Sequence, residues 1–455
     1  MSLSEQQTTI AEPVAQAGDD YHLWHPFSQM QKILSAQNIV VERGEGPYLY
    51  DQNNKRYLNL TSCLWNAPLG LGRQDIIEAI NKQLNDLSFA ALFRTAHRPA
   101  IDLAKKVAEI VPGRLNRVFL TSNGSESVES AIKMVRQYFH RKGSSKYKVI
   151  SLENAYHGVS YGALAASGFA EDQQGFGPMP EGFLKIPQPF NRDSQTEAER
   201  EAFEIACAEE LEKTIIAEGP ESVAMFIIEP VQGMGGAIAP GQAYFDIISE
   251  TCKRHDIKLV VDEVTTGFGR TGTLFASERF NLDPDVMCLG KAISGGYFPL
   301  GAAVATDEIW DAFLADGDDM RFNHGSTNAG HPGACAAGLA AIDILTRDNL
   351  IADAAARGTA FLERLQELKE LQVVDNVRGI GMLLAIDLVR DEASREPLDS
   401  EAMAMVAKAC FARGLWVHFS GSRILLLPPF ILEESHFDEA FAGLKRILSR
   451  VPSWI

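Results

Sequence analysis

The sequence predicts an α/β protein, with a mostly parallel central sheet in a large domain and a smaller α+β domain at the C-terminal end. Three observations carry that expectation. From roughly residue 73 onward, short apolar runs rich in branched residues alternate with stretches of helical periodicity, as in strand–helix repeats. The runs IKLVV at 257–261 and VMCL at 286–289 are apolar along their whole length, as strands covered on both faces are. Beyond residue 333, long helical periodicity gives way to a few strand-like segments, so a second unit follows the first. At 455 residues the chain exceeds what one small core organises, which also predicts more than one lobe.

Composition narrows the function classes. The chain is 46% hydrophobic and 22% charged, as globular proteins are, and no low-complexity tract interrupts it. A net charge of −18 argues against nucleic acid or an anionic membrane surface as partner. Six cysteines are scattered without a C-x-x-C pair, which reads as reduced thiols in a cytoplasmic protein. No basic start with an apolar core opens the sequence, and no 18-residue apolar run is present, so neither a secretory signal nor a membrane span is expected. The ten histidines lack metal-site spacing, and no G-x-G-x-x-G follows an early strand, which removes metal hydrolases and dinucleotide-dependent dehydrogenases.

Taken in order, residues 1–20 read as a polar tail, and YHLWHPFSQM at 21–30 as an aromatic cluster too apolar to stay free. Residues 39–60 alternate as strands, with a hairpin turn at 51–54. SCLWNAPLGLG at 62–72 breaks into a loop carrying Trp65, which is either a core residue or part of a pocket. RQDIIEAINKQLNDL and PAIDLAKKVAEIV have helical spacing. RVFLTSNGSESVESAIKMVRQYF at 117–139 reads as strand, tight loop and helix. Gly124 and Ser125 stand at the helix start, where unpaired N–H groups and a positive dipole favour an anion. Ordinary capping also explains Ser and Gly there. KVISLENAYHG at 148–158 is a strand running into Tyr156 and His157, and 168–196 reads as an aperiodic surface excursion. SVAMFIIEPVQGMGG at 222–236 is a buried strand ending at Glu229, and FPLGAAVAT at 298–306 another strand.

In a parallel sheet, strand ends open on the carboxyl edge, where α/β proteins bind ligands. Asp262 follows the 257–261 run directly, and Lys291 stands one glycine beyond the 286–289 run, so both fall on that edge with Glu229. An Asp and a Lys so placed are either an ordinary ion pair or a device for one chemistry in particular. Lysine forms a Schiff base with a carbonyl, and a carboxylate holds the ring nitrogen of pyridoxal phosphate protonated.

The segments VVDEVTTGFGRTG at 260–272 and D-x-x-x-x-G-K-x-x-x-G-G at 285–296 resemble the signature of the class III aminotransferases, the ω-transaminase group of fold-type I pyridoxal-phosphate enzymes. The resemblance extends from about residue 25 to the end. It implies an N-terminal segment (1–60) that packs with the small domain and the active-site mouth, a large cofactor-binding domain (61–332) and a small C-terminal domain (333–455). It implies pyridoxal 5'-phosphate as cofactor, bound covalently by Lys291 as catalytic residue. Asp262 faces the ring nitrogen, Tyr156 of the aromatic-His157-Gly motif stacks on the ring, Val264 packs behind it and Glu229 lies nearby. Gly124 and Ser125 hold the phosphate together with Thr327, which comes from the neighbouring subunit of a homodimer or tetramer. The implied reaction is a ping-pong transamination from an amine donor to a keto-acid acceptor such as pyruvate. Racemases, decarboxylases and aminomutases share this lysine–aspartate core and are the alternatives, together with a catalytically dead cofactor-binding protein.

The sequence departs from the family at the substrate carboxylate. Where members carry an arginine directly before LLPP, this chain has Leu425, and where others carry one ten residues before the prolines, it has His418. Arg423 is the nearest arginine, and Arg94 in LFRTAHRP is another candidate beside Trp65. Absence of the usual clamp points to an amine, diamine or ω-amino acid as donor rather than an α-amino acid.

Overall fold

The computed structural model describes residues 21–35, 39–194, 196–315, 317 and 320–454. The polar tail expected over residues 1–20 lies outside them. Three sheets organise the chain. Strands β1 (Val41–Glu45), β2 (Tyr48–Asp51) and β3 (Arg56–Asn59) form an antiparallel meander whose turn at 51–54 is closed by Asp51, with Asn54 left-handed at φ 58°. The central sheet holds β4 (Leu115–Thr121), β5 (Lys148–Leu152), β6 (Phe183–Ile186), β7 (Val223–Ile228), β8 (Lys258–Asp262), β9 (Val286–Leu289) and β10 (Gly301–Thr306). Its order is β4-β10-β9-β8-β7-β5-β6. The third sheet, β11 (Val374–Ile380), β12 (Leu383–Leu388), β14 (His418–Ser420) and β15 (Arg423–Leu426), is antiparallel. Between its members, β13 (Leu415–Trp416) leaves to pair with β3, which ties the C-terminal part to the N-terminal meander.

In the central sheet β10 alone runs against its neighbours β4 and β9. The other six point the same way, so their carboxyl ends share one edge, as the apolar runs predicted. Cover on both faces explains why the three residues of β8 between Lys258 and Asp262 are all apolar. Val260 packs on one face with Ala131 and Val135 of the helix Gly124–Arg141, while Leu259 and Val261 pack on the other with Phe245 and Ile248 of the helix Gln242–Arg254.

The 168–196 stretch departs from the expected excursion. It contains β6, the edge strand of the central sheet, hydrogen-bonded in parallel to β5. Four residues flanked by glycine and proline give too short a pattern to read, and Lys185 within it breaks the apolar run. The helix Pro332–Arg347 lies against the helices Gln74–Asp86 and Arg98–Ile110, so the chain runs back along the large sheet's flank before entering the third sheet. No helix among the described residues is long and apolar enough to cross a membrane.

Candidate active site

The shared carboxyl edge brings the charged strand ends together. Asp262, the last residue of β8, is 3% exposed; its Oδ2 lies 2.8 Å from His157 Nδ1 and its Oδ1 accepts the Val264 N–H at 3.0 Å. His157 is buried and its Nε2 has no partner among the described residues. Lys291 follows β9 with φ 45°, a left-handed conformation that a lysine adopts only where its surroundings enforce it. Its Nζ donates to Thr265 Oγ1 at 2.6 Å and lies 4.9 Å from the centre of the Trp65 ring. Burial pulls the Lys291 amine from 10.5 down to about 8, against the pull of Asp262 and Glu229, and the charge of Arg270 helps lower it. The neutral form of this amine is therefore more populated near pH 7 than in an ordinary lysine. A neutral amine is the nucleophile that carbonyl chemistry needs.

Glu229 closes the same space. It is buried one residue past β7, and its carboxylate accepts the N–H groups of Tyr156 and Gly233, each at 3.0 Å. Burial raises it to about 7; nearby Asp262 adds to the rise, while His157 and the two N–H groups oppose it. Glu229→Gln is expected to leave the fold intact and to remove the inflection near neutral pH from the rate profile, because the group that ionises there is gone. The measurement is kcat/KM for an amine across the neutral range; an unchanged inflection rules Glu229 out as its source.

The start of the helix Gly124–Arg141 reaches this edge because glycine permits it. A Cβ on Gly124 would lie 2.6 Å from Val264 Cγ1, and one on Gly290 would lie 3.2 Å from Gly124 N. Asn123 caps the helix through Glu126 N at 3.0 Å, and Ser127 Oγ bridges the helix to the Leu289 carbonyl at 2.8 Å, just before Lys291. Ser125 Oγ accepts the Val159 N–H at 3.1 Å, beyond the Tyr156–His157 strand end. Thr327 lines a separate hollow of about 630 Å³ with Ser122, Glu126 and His331, beside the same helix start.

The remaining candidates divide. Trp65 is buried against Lys291, and the His418 ring meets it edge-on at 5.6 Å. His418 Nε2 and Trp65 Nε1 both lack partners among the described residues. Arg423 instead bonds within the protein: its Nε donates to Asp387 at 2.6 Å and its Nη1 to the Gly235 carbonyl at 3.1 Å, beside Arg378 on the same carboxylate. Arg94 sits exposed in the irregular stretch before the helix Arg98–Ile110. Sequence reasoning missed Thr265 and Arg270. Both lie inside the 260–272 signature, but a Thr after Val264 and an Arg after Gly269 carry no pattern of their own.

Trp65 owes its place to a turn that local preference opposes. Ser62, Cys63, Leu64 and Trp65 have φ of 47°, 51°, 64° and 70°, a left-handed turn of four non-glycine residues. Such a conformation costs roughly 1–2 kcal/mol per residue. Asn59 offsets part of that cost, since its Oδ1 accepts the N–H groups of Thr61 at 3.2 Å and Cys63 at 3.1 Å.

An enclosed, partly neutral lysine amine, a buried carboxylate and a helix start opened by glycine fit an aldehyde-bearing, protonatable ring with a phosphate. The comparisons agree. The chain matches the family Aminotransferase class-III over residues 31–448. It is 35% identical to the putrescine–pyruvate aminotransferase of Pseudomonas aeruginosa over 436 residues, covering 95% of this chain and 94% of that protein. It is 36% identical over 444 residues to the adenosylmethionine-8-amino-7-oxononanoate aminotransferase of Geobacter sulfurreducens, covering 95% and 97%. An amine transaminase from an uncultivated Pseudomonas species, solved with PLP bound, superposes with a TM-score of 0.91 at 35% identity over 96% of this chain and 100% of that one. The chain belongs to the class III aminotransferases and is a pyridoxal-phosphate-dependent transaminase of fold type I.

Proposed function

We propose that this transaminase takes its amino group from an amine, diamine or ω-amino acid, passes it to a keto acid such as pyruvate, and uses Lys291 as cofactor-bearing lysine and proton carrier. The observation that carries the reading is the Lys291 amine, enclosed by Asp262, Glu229, Thr265 and Trp65 and partly neutral near pH 7. When bound, pyridoxal phosphate supplies an electron sink for the bond broken at the amine-bearing carbon.

The chain's own groups do the rest. Asp262, held by His157 and Val264 N, would be the carboxylate that meets the ring nitrogen. Gly124 and Ser125 offer the helix start to the phosphate. Tyr156 and Val264 would bracket the ring, and Glu229 accepts the Tyr156 backbone N–H. Lys291 Nζ, its position fixed by Thr265 Oγ1, would be the group that takes and returns the proton at the donor carbon.

The donor preference rests on Arg423, whose Nε and Nη1 are engaged by Asp387 and Gly235, and on His418 standing beside Trp65. Similarity to a putrescine–pyruvate enzyme and to an amine transaminase supports the same choice. The test is alanine formation from pyruvate with putrescine, an ω-amino acid, 1-phenylethylamine and a panel of α-amino acids. Higher kcat/KM for the first three is expected; preference for α-amino acids overturns it.

The active unit is read as a homodimer in the reducing cytoplasm, divided into the 1–60, 61–332 and 333–455 segments, with the partner subunit supplying Thr327. Mixing inactive Lys291→Ala with Thr327→Ala subunits is then expected to restore up to about a quarter of wild-type activity, because each hybrid dimer holds one complete site. No recovery after verified subunit exchange contradicts sharing.

A further inference from the structure

Arg270 is the largest fully buried side chain, 1% exposed, and among the described residues no carboxylate forms an ion pair with it. Buried arginines are ordinarily paired, so its charge calls for an explanation. All its hydrogen bonds go to neutral acceptors from distant parts of the chain. Nη1 donates to the Pro428 carbonyl at 2.7 Å and to the Met382 carbonyl at 3.3 Å, and Nη2 donates to Ser62 Oγ at 3.2 Å. The guanidinium lies 4.8 Å from the Phe430 ring centre, and the Arg270 carbonyl accepts the Met382 N–H at 2.9 Å. Ser62, itself fully buried, donates its hydroxyl hydrogen bond to the Leu427 carbonyl at 2.7 Å.

Ser62 opens the left-handed turn that ends at Trp65, and Trp65 faces the Lys291 amine. We propose that Arg270 is a positioning residue for transamination: by clamping Ser62 to the C-terminal segments 382 and 428, it holds the strained turn that sets Trp65 over Lys291. The inference rests on the reading of Lys291 as the cofactor-bearing lysine. It has an electrostatic consequence as well. The groups around that amine are Asp262 at the end of β8, Glu229 after β7, Thr265 and Arg270 in the loop after β8, and Trp65 with His418 behind it; His157 reaches it only through Asp262. Asp262 and Glu229 favour the ammonium form, and Arg270 opposes it.

Two variants test this, Arg270→Met, which removes clamp and charge, and Ser62→Ala, which cuts the clamp and keeps the charge. In cofactor-free protein, the pH dependence of Lys291 acylation by a small amine-reactive reagent, read by peptide mass spectrometry, reports the amine directly. In Arg270→Met the midpoint is expected to rise; a rise of half a pH unit slows labelling at neutral pH about threefold. In Ser62→Ala the Arg270 charge is kept, so any shift is expected to be smaller than in Arg270→Met. In the loaded enzymes both variants are expected to raise KM for 1-phenylethylamine by about tenfold, the effect of losing a hydrogen bond to a charged group, with kcat changed less. A wild-type midpoint in Arg270→Met, or a wild-type KM in Ser62→Ala, overturns the proposal. Should Arg270→Met not fold, the Ser62→Ala KM decides alone. Borohydride trapping of cofactor on Lys291 in wild type separates failure of the underlying reading, which abolishes trapping, from failure of this proposal, which leaves it intact.

Discussion

Lys291→Ala is expected to lower kcat by about 10,000-fold or more, the upper range for removing an acid–base group, since attachment and proton transfer are lost together. The fold should survive the change. Lys291 is held in a left-handed conformation at φ 45°, and alanine there loses only the bond to Thr265 and the contact with Trp65. Thermal unfolding of the cofactor-free variant should stay near wild type, which separates lost chemistry from lost structure. Added methylamine or another small base should restore part of the proton-transfer step, with a pH dependence that follows the added base. Retained transaminase turnover in Lys291→Ala, without added amine, sinks the assignment.

Asp262→Asn is expected to lower kcat/KM by roughly a hundred- to a few-thousand-fold, from the 3–5 kcal/mol lost when one side of a buried charge pair is removed. The amide keeps the shape and an acceptor for Val264 N, now at 3.0 Å, but no longer carries the charge that faces His157 Nδ1. Because the effect lies in stabilising charge on the cofactor ring, donor binding should change little, so the loss appears in kcat more than in KM. A variant with wild-type kcat makes Asp262 a structural partner of His157 alone.

The legible parts of this chain are those where local pattern and tertiary role agree. β8 and β9 read as buried strands because both their faces are covered, and Asp262 and Lys291 followed from where such strands must end. The helix start at Gly124 was legible because a Gly/Ser turn between an apolar run and a helical period marks it. The left-handed turn at Ser62–Trp65 was not, since four non-glycine residues at positive φ contradict every local preference and are bonded by partners such as Asn59, Arg270 and Leu427, two of them distant in sequence. Arg270 was invisible for a related reason: an arginine is expected in water, and its acceptors at 62, 382 and 428 come together only in the folded chain. The bond from Arg423 to Asp387 was not legible, because that partner stands on a neighbouring strand and 36 residues away. β6 escaped because a short edge strand with a lysine has no period to detect.

The most direct test of the central claim is the visible spectrum of the purified, cofactor-loaded protein during sequential additions. With 1-phenylethylamine or putrescine added, the yellow band of the lysine-linked cofactor should bleach, and pyruvate should return it, one cycle for each pair of half-reactions. A band that persists through a broad donor panel contradicts transamination at Lys291 and favours a racemase or decarboxylase on the same lysine–aspartate core.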